Sequence, residues 1–251
     1  ALIFIKPHSL AFVSVIIIIA YGIIGFLDDF IKIKFKHNEG LKPWQKIISQ
    51  IVVSLAVSFY CYNNEFIGSD VYIPFFNTVI DFGKWSVLLY VFIFIAATNS
   101  VNLTDGLDGL AGSVTTVYFV FLILFIYIKH TYFVSLGSVL ITKEYDYILS
   151  VMYLLTGSLI AFLIFNAFPA RMFMGDTGSM ALGAAVATFS VFTGFSFFIL
   201  ILGVTYVISS ISVILQVLYY KATKKRIFLM APFHHHLQMK GLSEVRISVI
   251  Y

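Results

Sequence analysis

Charge is scarce in this sequence. Asp, Glu, Lys and Arg make up 11% of its 251 residues, whereas soluble domains carry about 25%. That is less than half of what a water-facing surface needs. Cysteine is nearly missing: Cys61 stands alone, which excludes an intramolecular disulfide and any all-cysteine metal site. No cleavable signal, internal repeat, low-complexity stretch or internal domain boundary is visible, and the chain starts at Ala1 without a methionine. It reads as one transmembrane domain, residues 1–251, taken from a longer protein that continues at both ends.

What is abundant is apolar. The chain is 60% hydrophobic with a mean hydropathy of +0.97, and the apolar residues fall in long blocks, which argues for bilayer burial over a large aqueous core. Seven stretches can be bounded by charge and by Gly, Asn or Pro: roughly 10–27, 47–62, 85–98, 111–128, 147–165, 179–193 and 195–218. The expected fold is an all-α polytopic membrane protein with about seven transmembrane helices in this chain. The tail 247–251 turns apolar again and is compatible with the start of an eighth. The outer loop after the second stretch contains Val71-Tyr72-Ile73-Pro74 and Asn77-Thr78-Val79-Ile80, compatible with a small hairpin. The segment 129–146 reads as a second, featureless loop.

Basic residues choose between the two sides. Lys32, Lys34, Lys36, Lys42, Lys46, Arg171, Lys221, Lys224, Lys225, Arg226, Lys240 and Arg246 share one side, twelve of the 16 Lys and Arg. Lys6, Lys84, Lys129 and Lys143 share the other. The positive-inside rule makes the first side cytoplasmic. The net charge of +4 thus reads as topology, and no nucleic-acid partner is expected. Asp28, Asp29, Glu39, Asp105, Asp108, Asp176 and Glu244 lie on the same side.

Four motifs carry the chemistry. The first is Asp28-Asp29 after Gly25-Phe26-Leu27. Neighbours on a helix point about 100° apart, so the two acids divide their roles. Like charges this close hinder each other's ionisation, which suits a proton acceptor or a residue awaiting a cation; the bland reading is a pair of solvated interface charges. The second runs from Asn99 to Gly112. If helical, it puts Asn102, Asp105 and Asp108 on one face and Gly106, Gly109 and Gly112 on another; the bland reading is a capped helix start with a glycine packing face. The third, Asn166 to Ser179, sets Asp176 after a glycine turn and before an apolar span. A helix N-cap is its bland role, and holding a divalent cation that binds phosphate is the functional one. Phe173 beside it could stack on a planar ring or simply pack.

The fourth motif is Ala231-Pro232-Phe233-His234-His235-His236. Three consecutive histidines cannot all point one way, so a zinc site from the triplet alone is not expected; one or two could donate to phosphate or sugar. An oxygen-rich donor set at a membrane surface, without cysteine, favours Mg²⁺, with Mn²⁺ as the substitute. The reaction class is phosphoryl transfer at a lipid phosphate. A cation or lipid transporter is the reading from another class. It would place ionisable groups near the bilayer midplane, and no Asp, Glu, Lys or Arg falls inside the seven stretches.

Together these motifs resemble the polyprenyl-phosphate N-acetylhexosamine-1-phosphate transferases, over nearly the whole chain and in the family's order. The unbroken histidine triplet is similar to the members that use UDP-N-acetylmuramoyl-pentapeptide. Members that use UDP-N-acetylglucosamine typically carry a broken, arginine-containing version and are the runner-up. The resemblance implies transfer to undecaprenyl phosphate, giving lipid I and UMP for peptidoglycan synthesis. It also implies a bacterial inner-membrane location among membrane lipids, a cytoplasmic site, a Mg²⁺ requirement, and room for a homodimer that no residue pattern reveals. By resemblance Asp176 binds the metal, and Asp28 deprotonates or positions the lipid phosphate with Asp29 beside it. Asn102, Asp105, Gly106, Leu107 and Asp108 line the nucleoside pocket, Phe173 stacks on uracil and Asn166 holds the uridine. Lys32, Lys46, His234, His235 and His236 serve the phosphate and substrate region, His234 within the catalytic group. The chain departs from the family in lacking the first cytoplasmic loop, and in having Ser209-Ser210 where a glutamate is expected.

Overall fold

The computed structural model describes residues 9–35 and 40–251; Lys6, Lys36 and Glu39 lie outside the described residues. The elements run α1 (Leu10–Phe35), α2 (Pro43–Asn63), β1 (Asp70–Ile73), β2 (Thr78–Asp81), α3 (Trp85–Thr104), α4 (Leu110–Ser135), α5 (Val139–Asn166) and α6 (Gly175–Phe192). A single 3₁₀ turn, Ser196–Phe198, leads to α7 (Ile199–Leu202) and α8 (Val204–Thr223), followed by two short helices, α9 (Phe233–Met239) and α10 (Glu244–Ile250). The chain is thus an all-helical membrane protein. Five helices, α1, α3, α4, α5 and α8, are long and apolar enough to cross a bilayer by themselves.

The remaining two long helices fall at the expected places for different physical reasons. α6 is rich in Ala, Gly, Ser and Thr and is buried throughout from Leu182 to Phe192. Surrounded by protein, it needs no lipid-facing hydropathy, and its small residues let neighbours approach. A side chain at Gly25 would collide with the Asp176 carbonyl, and a Cβ at Gly183 would lie 2.5 Å from Thr98 Cα, so α1 and α3 press directly on α6. α2 is diluted by Gln45, Lys46, Ser49, Gln50, Ser54 and Ser58, most of which turn toward the bundle. Cross-helix hydrogen bonds such as Thr115–Tyr206 (2.7 Å) satisfy hydroxyls that lipid could not.

α1 shows how the sequence sets its own orientation. Ser14, Ile17, Tyr21, Ile24 and Asp28 are buried at alternating three- and four-residue steps, whereas Ile16, Ile19, Ile23 and Phe26 are half exposed on the opposite face. That is a helix with one face to protein and one to lipid. Asp28 continues the buried stripe, and so faces the bundle.

Three expectations change. The 129–146 segment is mostly helix: α4 and α5 run past the membrane-length stretches and meet in a tight turn, with Gly137 in the left-handed region (φ 70°). The stretch 195–218 is broken at Gly203. A Cβ there would lie 2.7 Å from the Ile199 carbonyl, so α7 ends and α8 starts afresh. The motif from Asn99 to Gly112 is not one helix. α3 stops at Thr104, Asp105 to Gly109 form turns, and Gly109 enters α4 at φ 72°. Asn102, Asp105 and Asp108 therefore do not share a helix face, and the glycines form no stripe. The hairpin forms as expected, antiparallel with Asp70 opposite Asp81 and Ile73 opposite Thr78.

Candidate active site

The acidic motifs meet at one end of the bundle, where α1 and α3 end and α2, α4 and α6 begin. Asp28, Asp29 and Asp176 offer oxygens that all lie within 4.8 Å of one another. Asp28 is 3% exposed, and its Oδ1 accepts the Leu41 amide at 2.7 Å; the loop folds so closely that a Cβ at Gly40 would lie 2.5 Å from that oxygen. Asp29 points aside, to α6. Its carboxylate accepts the amides of Asp176 (3.3 Å) and Thr177 (2.9 Å) and the Thr177 hydroxyl (2.7 Å). Asp29 therefore caps α6 from another helix, satisfying otherwise orphaned amides.

With that cap supplied, Asp176 is free for other work. It sits in the first turn of α6 rather than at its N-cap, and two lysines and an amide converge on it. Lys32 Nζ (2.9 Å) and Lys46 Nζ (3.0 Å) reach Oδ2. Asn102 Nδ2 donates to Oδ1 at 2.7 Å and also contacts Ser179 Oγ at 2.8 Å. Lys32 also pairs with Asp28, one helical turn before it. The structure thus brings Asp28, Asp29, Asp176, Lys32, Lys46 and Asn102 into one charged nest.

The second half of the site surrounds the turn after α3. The Asp105 carboxylate takes no hydrogen bond or ion pair among the described residues. Burial, and then the fields of Asp176 and Asp29, push its carboxyl up to about 6. Gly106 is required where it stands: any Cβ would strike the His234 imidazole and lie 3.0 Å from His235 Nε2. The turn and the histidine motif are therefore in contact. Leu107 is buried beneath them.

Asp108 and Asn166 serve the loop before α6. Asp108 Oδ2 accepts the Ala170 amide at 2.9 Å, and Asn166 Nδ2 donates to the Met172 carbonyl at 2.8 Å. Phe173 projects from this loop at 77% exposure, without a ring partner among the described residues.

The three histidines do not all point one way: the His234 and His235 rings lie side by side against Gly106 (centroids 4.4 Å), and His236 turns elsewhere. His236 Nδ1 accepts the Leu229 amide at 3.1 Å, and His235 Nδ1 lies 3.1 Å from Gln238 Oε1. His234 is fully buried with neither ring nitrogen bonded. Burial, with His235 beside it, pulls its imidazole down to about 4.

Sequence reasoning missed the polar residues that brace the nest. Gln50 and Asn99 exchange amide hydrogen bonds (2.7 and 3.3 Å) one turn below Lys46 and Asn102. Gln50 is fully buried. For Gln50, a carboxamide inside an apolar stretch was the available signal; Asn99 opened the second motif but was given no role. Thr177 and Ser179 were hidden by looking like ordinary helix-start residues.

The charged nest stands at one end of a polytopic helical bundle, and comparison with known proteins gives the class as a membrane transferase: residues 11–194 match the family described as Glycosyl transferase family 4, to which the chain belongs. Within it, the chain belongs to the phospho-N-acetylmuramoyl-pentapeptide-transferases. It is 43% identical over 246 residues to the enzyme of that name from Clostridium botulinum (strain Alaska E43 / Type E3), spanning 98% of this chain and 71% of the relative. Identity is 46% over 244 residues to that of Clostridioides difficile (strain 630), covering 97% and 71%. For Clostridium perfringens (strain 13 / Type A) it is 44% over 246 residues, covering 98% and 73%.

Proposed function

We propose that the chain transfers phospho-N-acetylmuramoyl-pentapeptide from its UDP-linked donor to undecaprenyl phosphate, giving lipid I and UMP. The observation that carries this reading is the nest of three carboxylates and two ammonium groups at the helix ends. An apolar groove of about 530 Å³ lies between α3 and α8, lined by Phe92, Ile93, Leu103, Val207 and Ile214. An isoprenoid tail fits such a surface. The side to which the sequence assigns twelve of the 16 basic residues is read as cytoplasmic, where a UDP-linked donor is available.

A phosphate monoester is already a nucleophile, so the protein needs chiefly to position it and offset charge. In this reading an acceptor phosphate oxygen attacks the sugar-linked phosphorus of the donor. The bond from that phosphorus to the bridging oxygen breaks, and UMP leaves with the electron pair. Lys32 and Lys46 pair with phosphate oxygens, Asp28 orients the acceptor, and Asp105 with the Gly106 turn and His235 faces the nucleoside, on which Phe173 closes. The oxygen-only donor set of Asp28, Asp29 and Asp176 fits Mg²⁺ or Mn²⁺, and Asp176 would hold it. When bound, that ion would neutralise the diphosphate.

The test offers the protein in membranes both UDP-N-acetylmuramoyl-pentapeptide and UDP-N-acetylglucosamine with undecaprenyl phosphate. Lipid product and UMP from the muramoyl donor are expected. Product from UDP-N-acetylglucosamine alone would refute the assignment.

A further inference from the structure

Lys32 stands where a divalent cation would stand. Its ammonium pairs with Asp28, lies 2.9 Å from Asp176 Oδ2 and 3.8 Å from Asp29 Oδ1. Those are the same three carboxylates whose oxygens converge within 4.8 Å. An ammonium and a metal ion cannot occupy that space together.

The two lysines of the nest are not equivalent. Among the described acids Lys46 reaches only Asp176, and its side chain is 16% exposed. Lys32 touches all three acids, and its side chain is 34% exposed, so it has a path out to water. Charge points the same way. Three carboxylates facing two ammonium groups carry one net negative charge. A doubly charged ion added to that set would reverse the sign, whereas exchange for the Lys32 ammonium brings it to neutrality. A partly desolvated cluster favours the neutral arrangement.

We propose that Lys32 is a plug: its ammonium fills the cation position in the unloaded protein, and swings out when a divalent cation enters. The freed ammonium is then delivered to the phosphate oxygens of the incoming substrate, so cation binding and phosphate binding are coupled through one side chain. The inference rests on reading the acid nest as a divalent-cation site.

Direct Mn²⁺ binding to the detergent-solubilised full-length protein, without substrates, tests this. Lys32→Met should bind Mn²⁺ at least about tenfold more tightly than wild type, because a competitor has been removed as well as a repulsion. Lys46→Met removes the same charge without unplugging the site, and should tighten binding by less than about threefold. Equal tightening in the two variants, or none in Lys32→Met, would overturn the plug while leaving the cation site intact. Absence of Mn²⁺ binding in all three proteins would instead overturn the cation reading itself. On the wild-type protein, modification of Lys32 by an amine-reactive reagent, followed by mass spectrometry, should rise several-fold on adding Mn²⁺. Unchanged labelling under saturating Mn²⁺ would overturn the proposal.

Discussion

Replacing Asp105 with asparagine removes a carboxylate that the fold holds ionised at neutral pH against its surroundings. Burial and the neighbouring Asp176 and Asp29 move its carboxyl from an ordinary 3.8 to about 6, and no hydrogen bond offsets this. Ionising it in the folded state at neutral pH therefore costs about 3 kcal/mol, and screening by water at the site mouth lowers this to about 1–2 kcal/mol. The sign follows from proton uptake. Between pH 3.8 and about 6 the folded protein holds a proton that the unfolded chain has lost. This residue's contribution to stability therefore declines as pH rises through that window. Asp105→Asn should raise the melting temperature at pH 7.5 by about 2–6 °C while greatly reducing turnover, and its advantage over wild type should shrink at pH 5. Thermal unfolding in detergent at the two pH values measures both. A variant less stable than wild type at pH 7.5, or an advantage that does not change with pH, would refute the reasoning.

His234 gives the opposite slope. Its imidazole titrates at about 4 when folded against 6.5 ordinarily, so its contribution is complete above pH 6.5 and is lost as pH falls toward 4. His234→Phe should flatten the acid side of the wild-type stability profile, and an unchanged profile would contradict its burial as a neutral ring. Asp29→Ala should lower stability by about 1–2 kcal/mol through loss of the α6 cap. Calorimetry with a metal chelator present isolates this effect, and no loss under those conditions would leave Asp29 without a structural role.

Much of the fold was legible because bilayer-length apolar blocks and their charged punctuation are strong signals. The hairpin and the gathering of acids at one end followed from local pattern and alternation. What was hidden depended on partners far away in sequence. Asp176 follows a glycine turn and looks like a cap, but the cap comes from Asp29, 147 residues earlier, which is what releases Asp176 for the lysines. Asn102, Asp105 and Asp108 have helical spacing, yet His234 and His235 close over Gly106 and Gly109 turns left-handed, so the backbone leaves the helix there. Asn166 and Asp108 carry the right chemistry for a ligand, and their side chains each also make a hydrogen bond that secures the 166–172 loop. Helix ends at Ser135 and Val139 were misplaced because glycine geometry, not charge, sets that turn.

The central claim is that the acid nest around Asp176 carries phosphoryl transfer. Formation of lipid-linked product from UDP-N-acetylmuramoyl-pentapeptide, compared between wild type, Asp176→Asn and Asp146→Asn in the same membranes, tests it most directly. Among the described residues Asp146 pairs only with His130, at the opposite end of the bundle (3.0 Å), so its variant should match wild type. The Asp176 variant should insert normally and lose at least about a hundredfold in turnover. Near-normal product formation by Asp176→Asn would contradict the account.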